Sequence, residues 1–205
     1  RAKQRVDDCL VPHASAKLHF QLRLFADPLD DGQVRHDARA RAAEIDYMEA
    51  LRAELRTYPS GLRVHTLNFG GGTPSLLSAD ELGFIISACR QHFEVSPDAE
   101  VSIEANPDGL DSAYFEALRF TGVNRVSFGV QSFHEPELRM LTRRHTTAGA
   151  RAAFQAARAS GFDNLNLDFM YGLPGQSLAQ WAATLDEAVA CRPEHLSLYA
   201  LTLYE

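Results

Sequence analysis

The sequence predicts an α/β fold of parallel strands alternating with helices, and three observations predict it. Five short apolar segments rich in β-formers recur at a spacing of roughly 25 to 40 residues. Between them lie stretches with apolar residues at intervals of three and four, two of them opened by capping boxes. Glycine follows the end of two of these helices, at Gly122 and Gly161. Strict βα alternation implies right-handed crossovers, in either an open doubly wound sheet or part of a βα barrel.

The elements follow in order. HDARARAAEIDYMEALRAELRTY, from His36, reads as a long helix rich in Ala and Glu. VHTLNF is a strand, and Ser78 with Glu81 forms a capping box opening SADELGFIISACRQHF. EVSIEA is a strand, and Asp111 caps DSAYFEALRFTG. NRVSFGV is a strand followed by a short helix around Glu135 to Leu141 and by TAGARAAFQAARASG. NLNLDFM is a strand, Ser177 with Gln180 opens LAQWAATLDEAVAC, and HLSLYAL closes the series. No sequence repeat underlies this architectural one.

Bulk properties narrow the function. The chain has 205 residues, 45% hydrophobic, with a net charge of -7, enough to bury one sizeable core. An acidic balance without a basic stripe argues against a nucleic-acid partner, since phosphate neutralisation needs clustered Lys and Arg. No segment approaches the ~18 apolar residues of a membrane span, and the N-terminus has no apolar signal core, so a cytoplasmic setting is expected. Cys9, Cys89 and Cys191 lie far apart and the eight histidines are scattered singly, so no metal-ligating set declares itself. Cys89 and Cys191 read as small core residues within helical patterns. The chain opens on Arg1 and stops just after an apolar stretch, and a piece of a longer protein is expected.

In both architectures the active site forms beyond the C-terminal ends of the strands. VHTLNF leads into Gly70, Gly71, Gly72 and Thr73; EVSIEA ends at Glu104 before Asn106 and Pro107. NRVSFGV leads to Gln131 and Ser132, NLNLDFM carries Asp168 ahead of Tyr171 and Gly172, and the last strand gives Tyr199 and Thr202. Glu104 and Asp168 would be the costliest of these to bury. Taken singly, each has a structural explanation. The glycines make a tight turn, Glu104 caps or pairs with an arginine, Gln131 satisfies a backbone group, and Asp168 bridges to Arg125 or Arg143. Their recurrence at the same end of successive strands favours a ligand site. Bare glycine backbone suits close approach of a planar or zwitterionic group. The two carboxylates can accept from an ammonium or ribose hydroxyls, and Arg143 can fork a carboxylate. An amino acid joined to a nucleoside would use every one of these groups.

GGGTPSLL, IEANP, GVNRVSFGVQSF, the Arg143 to His145 stretch, NLNLDFMYGLPGQ and HLSLYALTLYE, in this order, resemble the radical S-adenosylmethionine (SAM) family. Within it they look like the branch of the oxygen-independent coproporphyrinogen III oxidases and heme chaperones, with SLYALT and GVQSF closer to the chaperone. The likeness runs from about Ala38 to Glu205. It implies a partial (βα) barrel that binds SAM and a [4Fe–4S] cluster, with porphyrin or heme as a further small-molecule ligand. It also implies SAM contacts from Gly71, Gly72 and Thr73, and from Glu104, Gln131, Arg143 and Asp168.

One part of the family pattern is missing. Members carry C-x-x-x-C-x-x-C after the first strand, three thiolates holding a cluster whose open iron binds SAM and delivers an electron. Residues 10–35 contain no cysteine, and Cys9 alone cannot hold a cluster; His13 and His19 lack the spacing. The chain is therefore expected to divide into an atypical N-terminal segment, 1–35, with the first strand and cluster loop missing or mis-framed, and a partial barrel, 36–205. Without that strand, VHTLNF would be an unpaired edge. A damaged reading frame is one explanation. Leu18-His19 and Leu22-Arg23 can be encoded as TTG-CAY and CTG-CGN, which read TGC one nucleotide forward, although a third cysteine does not fall in that frame. No catalytic and no metal-ligating residue is assigned, and no radical chemistry is expected of the chain as written. Two classes stay open: a fragment or mis-framed radical SAM protein of heme metabolism, and a cluster-free SAM or heme binder.

Overall fold

The computed structural model describes residues 16–21, as backbone only, and residues 48–202. They belong to two compact units, Arg1–Val101 and Ser102–Glu205. The remaining residues of the N-terminal segment, Cys9, His13 and Leu22-Arg23 among them, lie outside the described part.

In the first unit a strand does precede VHTLNF. Strand β1 (Ala16–Gln21) pairs in parallel with β2 (Arg63–Gly70), setting Leu18 opposite Leu67 and Phe20 opposite Phe69. The expectation of a missing first strand that leaves VHTLNF unpaired on this side is thereby corrected. The AKLHFQ run has the apolar–polar alternation of a strand.

The long helix is described over 48–55 (α1), where Met48, Leu51 and Leu55 form a buried stripe at helical spacing. Helix α2 (Ala79–His92) starts with both halves of the expected capping box, the Ser78 hydroxyl facing the Glu81 amide and the Glu81 carboxylate accepting from the Ser78 amide at 2.8 Å. Its buried residues, Leu82, Ile85, Ile86 and Cys89, share this core with Val64, Leu67 and Phe69 of β2. Strand β3 (Glu94–Ala105) starts earlier than EVSIEA and tolerates Pro97 because that stretch is exposed.

Cys89 is fully buried, and burial pushes its thiol up to about 12. Cys191, half-buried, is raised as well. We expect the Cys89 thiol to resist iodoacetamide in the native chain and to react only on unfolding, as peptide mapping by mass spectrometry would show. Labelling of Cys89 at a native-state rate matching an exposed thiol would contradict this burial.

The second unit holds the end of β3 with β4 (Arg125–Gln131), β5 (Leu165–Tyr171) and β6 (His195–Ala200), all paired in parallel in chain order. The connecting helices are α3 (Ser112–Phe120), α4 (Glu135–Met140), α5 (Thr147–Ala159) and α6 (Leu178–Ala190). Caps predicted at Asp111 and at Ser177 with Gln180 are both present. Helix α5 ends where Gly161 takes φ +87°, its amide donating to Arg158 O and that of Phe162 to Ala157 O, the two bonds of a Schellman stop.

One face of this sheet is apolar. Val126, Phe128 and Val130 of β4 and Leu165, Leu167 and Phe169 of β5 are buried with Phe115, Phe154 and Phe162. Phe115 stands edge-on to Phe128 and Phe162, at ring separations of 5.8 and 6.1 Å. A clasp closes the end of α5: Arg158 binds both carboxylate oxygens of Glu194 at 3.0 Å, and Glu194 accepts from the Leu165 amide at 2.8 Å. This packing turns the opposite pleat face of the strands into the place where polar residues collect.

Candidate functional site

Alternation along β4 decides which residues share that face. Ser127, Gly129 and Gln131 lie between the buried Val126, Phe128 and Val130. Register carries the face to β3 and β5, with Glu104 opposite Ser127 and Ser127 opposite Asn166. It continues to β6, where Asp168 stands opposite Ser197. Three of the four sequence-predicted residues of this unit, Glu104, Gln131 and Asp168, thus lie on strands of one sheet, and the fourth, Arg143, comes from the stretch after α4.

Asp168 is held by two neighbours. Ser127 Oγ donates to its Oδ2 at 2.9 Å, and Asn166 Nδ2 donates to its Oδ1 at 2.8 Å. Asn166 also reaches Ser127 Oγ at 2.7 Å and Ser197 Oγ at 2.9 Å. Neither arginine bridge expected for Asp168 is the one formed: Arg125 donates to Asn164 Oδ1 at 2.9 Å, and Arg143 turns to β4. The predicted burial cost of the two carboxylates is also small, because Glu104 is exposed and Asp168 only half-buried. Ser127, Asn166 and Ser197 went unremarked in the sequence. Polar residues two apart in SFGVQ and NLD, on strands otherwise apolar, were the available signal.

Arg143 is half-buried, and burial lowers its guanidinium below the usual value. Its Nη2 donates to Gly129 O at 3.0 Å and reaches Asn106 Oδ1 at 3.5 Å, while Nε is buried without a partner. Among the described residues no carboxylate lies within ion-pair distance of it. A half-buried cation with spare donors and no counter-ion is suited to an anionic ligand group.

Backbone strain flanks both of these side chains. Gln131 has φ +68°, and the Ser132 amide donates to Val130 O at 2.9 Å across it, a tight positive-φ γ-turn. Thr142, immediately before Arg143, has φ +51° at the position where a helix stop prefers glycine. Arg143 N donates to Leu138 O at 2.9 Å and Thr142 N to Arg139 O at 3.1 Å, closing the Schellman stop of α4. Each such residue costs roughly 1–3 kcal/mol and persists where its surroundings over-determine it. For Gln131 those surroundings include the fully buried Ser132, whose Oγ donates to the buried Glu137 at 2.5 Å and accepts from the His134 amide at 2.9 Å.

His145 is buried, with Nε2 3.0 Å from Val130 O and Nδ1 3.2 Å from Asn106 Oδ1. Burial is the main cause holding its imidazole below 6.5, the Arg143 charge adding to it against the Val130 carbonyl, Asp108 and Glu135. A depressed histidine stabilises the fold above pH 6.5 and loses that contribution as pH falls through its folded value. We therefore expect the urea midpoint to drop on acidification below pH 6.5, and the drop to shrink in His145→Gln. An equal drop in that variant would contradict the assignment.

In the first unit, the glycine loop leaves β2 with φ +77° at Gly71 and +55° at Gly72, a pair of left-handed residues only glycine adopts freely. Thr73 then occupies the N-cap position of a 3₁₀ turn, Pro74–Leu76, without a side-chain cap bond. The left-handed pair is the physical reason that the loop after β2 uses glycine.

The described residues do not fit an iron–sulfur cluster. Among them no three His, Cys, Asp or Glu side chains gather, Cys89 is sealed in the core of its unit, and Cys191 caps α6. SAM, a zwitterion joined to a nucleoside, calls for groups of the kind that Gln131, Asp168 and the half-buried Arg143 offer within the second unit.

Comparison with known proteins gives the same direction. Heme chaperone HemW of Mycobacterium tuberculosis is 42% identical over 160 residues, 77% of this chain and 41% of that protein. Heme chaperone HemW of Escherichia coli is 39% identical over 175 residues, 84% of this chain and 44% of that protein. The chain thus spans well under half the length of these relatives. The structure of coproporphyrinogen III oxidase (HemN) from Escherichia coli, a radical SAM enzyme, superposes with a TM-score of 0.73 at 32% identity, over 80% of this chain and 38% of that one. This likeness makes the fold a partial (βα) barrel of the radical SAM type. The description of the Radical SAM superfamily matches residues 33–188. A match to the family description over most of its length, with relatives at 42% and 39% identity over 77% and 84% of it, fixes the assignment: this chain belongs to the radical SAM superfamily.

Proposed function

We propose that this chain is the SAM-binding part of a cytoplasmic radical SAM protein of heme or porphyrin metabolism, coproporphyrinogen III oxidase-like or heme chaperone-like. Gly71, Gly72 and Thr73 offer backbone to the methionyl moiety, Arg143 takes its carboxylate, and Glu104, Gln131 and Asp168 meet the remaining ammonium and ribose donors. The observation that carries this reading is Arg143, half-buried, with an unpartnered Nε and no carboxylate at ion-pair distance among the described residues. In the division that goes with it, residues 1–35 are an atypical segment and 36–205 the partial barrel.

When bound, a [4Fe–4S] cluster supplies the electron that cleaves SAM. This sequence lacks the thiolate trio for it, which favours a second reading, a SAM or heme binder without radical chemistry. Isothermal titration of the purified chain with SAM tests the shared core of both. Saturable binding competed by S-adenosylhomocysteine is expected, and no binding would overturn the proposal. Anaerobic iron and sulfide reconstitution then separates the readings. Cluster absorbance and 5′-deoxyadenosine with a reductant would support radical chemistry, whereas neither is expected of a binder. Heme titration, followed by Soret absorbance, tests the chaperone-like reading.

A further inference from the structure

We infer that Gly129 is a positioning residue, whose missing side chain lets Gln131 and Arg143 converge on the same spot of β4. The inference rests on the SAM-binding reading for its functional consequence, but not for its geometry. A Cβ at this position would stand 3.1 Å from Gln131 Nε2 and 3.4 Å from Arg143 Nη2, with Ala105 O next at 3.8 Å. Its own carbonyl accepts from Arg143 Nη2 at 3.0 Å. Gly129 therefore holds one of the two side chains through its backbone and makes room for both by having no side chain.

The need is not conformational. Gly129 is absent from the positive-φ residues and sits within a strand between the buried Phe128 and Val130. Alanine is compatible with an extended backbone and restricts the unfolded chain more than glycine does. The neighbours an alanine would press are the polar ends of long side chains, which can withdraw by a few tenths of an ångström without disturbing the core. Only the backbone of Ala105 resists, and at ordinary contact distance. Gly129→Ala should therefore leave the fold intact or slightly more stable while moving Gln131 and Arg143. A glycine whose role was merely structural would show the opposite: lost stability with no selective effect on these two groups.

Gln131 has little freedom to absorb the push. Its left-handed backbone is fixed by the bond from the Ser132 amide to Val130 O, and Ser132 is anchored on Glu137. Glu137 accepts also from Gln176 Nε2 at 3.1 Å, so the turn after β4 is tied to the loop after β5. The displacement must be taken up by the Gln131 side chain itself. A ligand group placed by both donors would lose alignment with each, and small misplacements of positioned groups carry disproportionate costs.

The test uses the whole chain and two independent readouts. Nitrogen-15 NMR of the Gln131 side-chain amide and the Arg143 Nε–H reports position directly. Both signals are expected to shift in Gly129→Ala, with the melting temperature unchanged or raised. If neither signal moves, or if the variant unfolds at a clearly lower temperature, the inference is overturned, whether or not the chain binds SAM. Titration with SAM gives the functional arm, where affinity is expected to fall about tenfold. That loss should be smaller in a Gln131→Ala background, because part of the displacement then has no target. If the wild-type chain binds no SAM, the reading under Proposed function fails while the NMR arm still decides the role of Gly129.

Discussion

Arg143→Ala is expected to weaken SAM binding about a hundredfold, the largest single loss available at this site. A forked, charge-assisted pair is worth ~1.5–3 kcal/mol, which converts to about 10- to 150-fold in affinity. Arg143 suits that role because its guanidinium is already half-desolvated, held by Gly129 O and aligned by the stop of α4. Part of the cost of ordering and dehydrating it is thus met before the ligand arrives. Arg143→Lys should recover only a minor part, since an ammonium keeps the charge and loses the fork. Titration calorimetry of the three proteins checks this, alongside their melting temperatures. Wild-type affinity in Arg143→Ala would remove the residue from the site and with it the main support for the binding proposal.

Phe115→Ala is expected to destabilise the second unit by about 3–5 kcal/mol, enough to unfold it at moderate temperature. Phe115 is completely buried, edge-on to Phe128 from β4 and to Phe162 after α5. Its removal leaves a cavity bordered by three elements that cannot collapse together without shifting β4. Because Phe128 is on the opposite pleat face from Ser127 and Gly129, the damage should reach the candidate site only through loss of the strand. Urea unfolding followed by circular dichroism gives the midpoint, and Phe115→Leu should retain more than half of the lost stability. A shift below ~1 kcal/mol would show that this aromatic cluster does not hold the unit together.

Local rules that act over a few residues were legible in the sequence. Capping boxes at Ser78 with Glu81 and Ser177 with Gln180, the Asp111 cap and the Gly161 stop all appear where spacing alone placed them. Strand positions followed too, because alternation and β-branched content are properties of the segment itself. The strand at Ala16–Gln21 escapes those rules, because what establishes it is its pairing with β2, far along the chain.

The sequence by itself determined the order of elements and the residues available at the strand ends, because periodicity, caps and turn chemistry are local. It could place Glu104, Gln131, Arg143 and Asp168 near one end of the sheet, but it could not choose their partners. Tertiary structure decided that Asp168 is held by Ser127 and Asn166 rather than by an arginine, and that Glu104 is exposed. It also decided that Arg143 rests on Gly129 O, with no carboxylate at ion-pair distance among the described residues. Those outcomes depend on register between strands and on the exit angle of α4, distances set across tens of residues of chain. Only a folded sheet fixes them, and only the fold sets Gly129 against the side chains of Gln131 and Arg143.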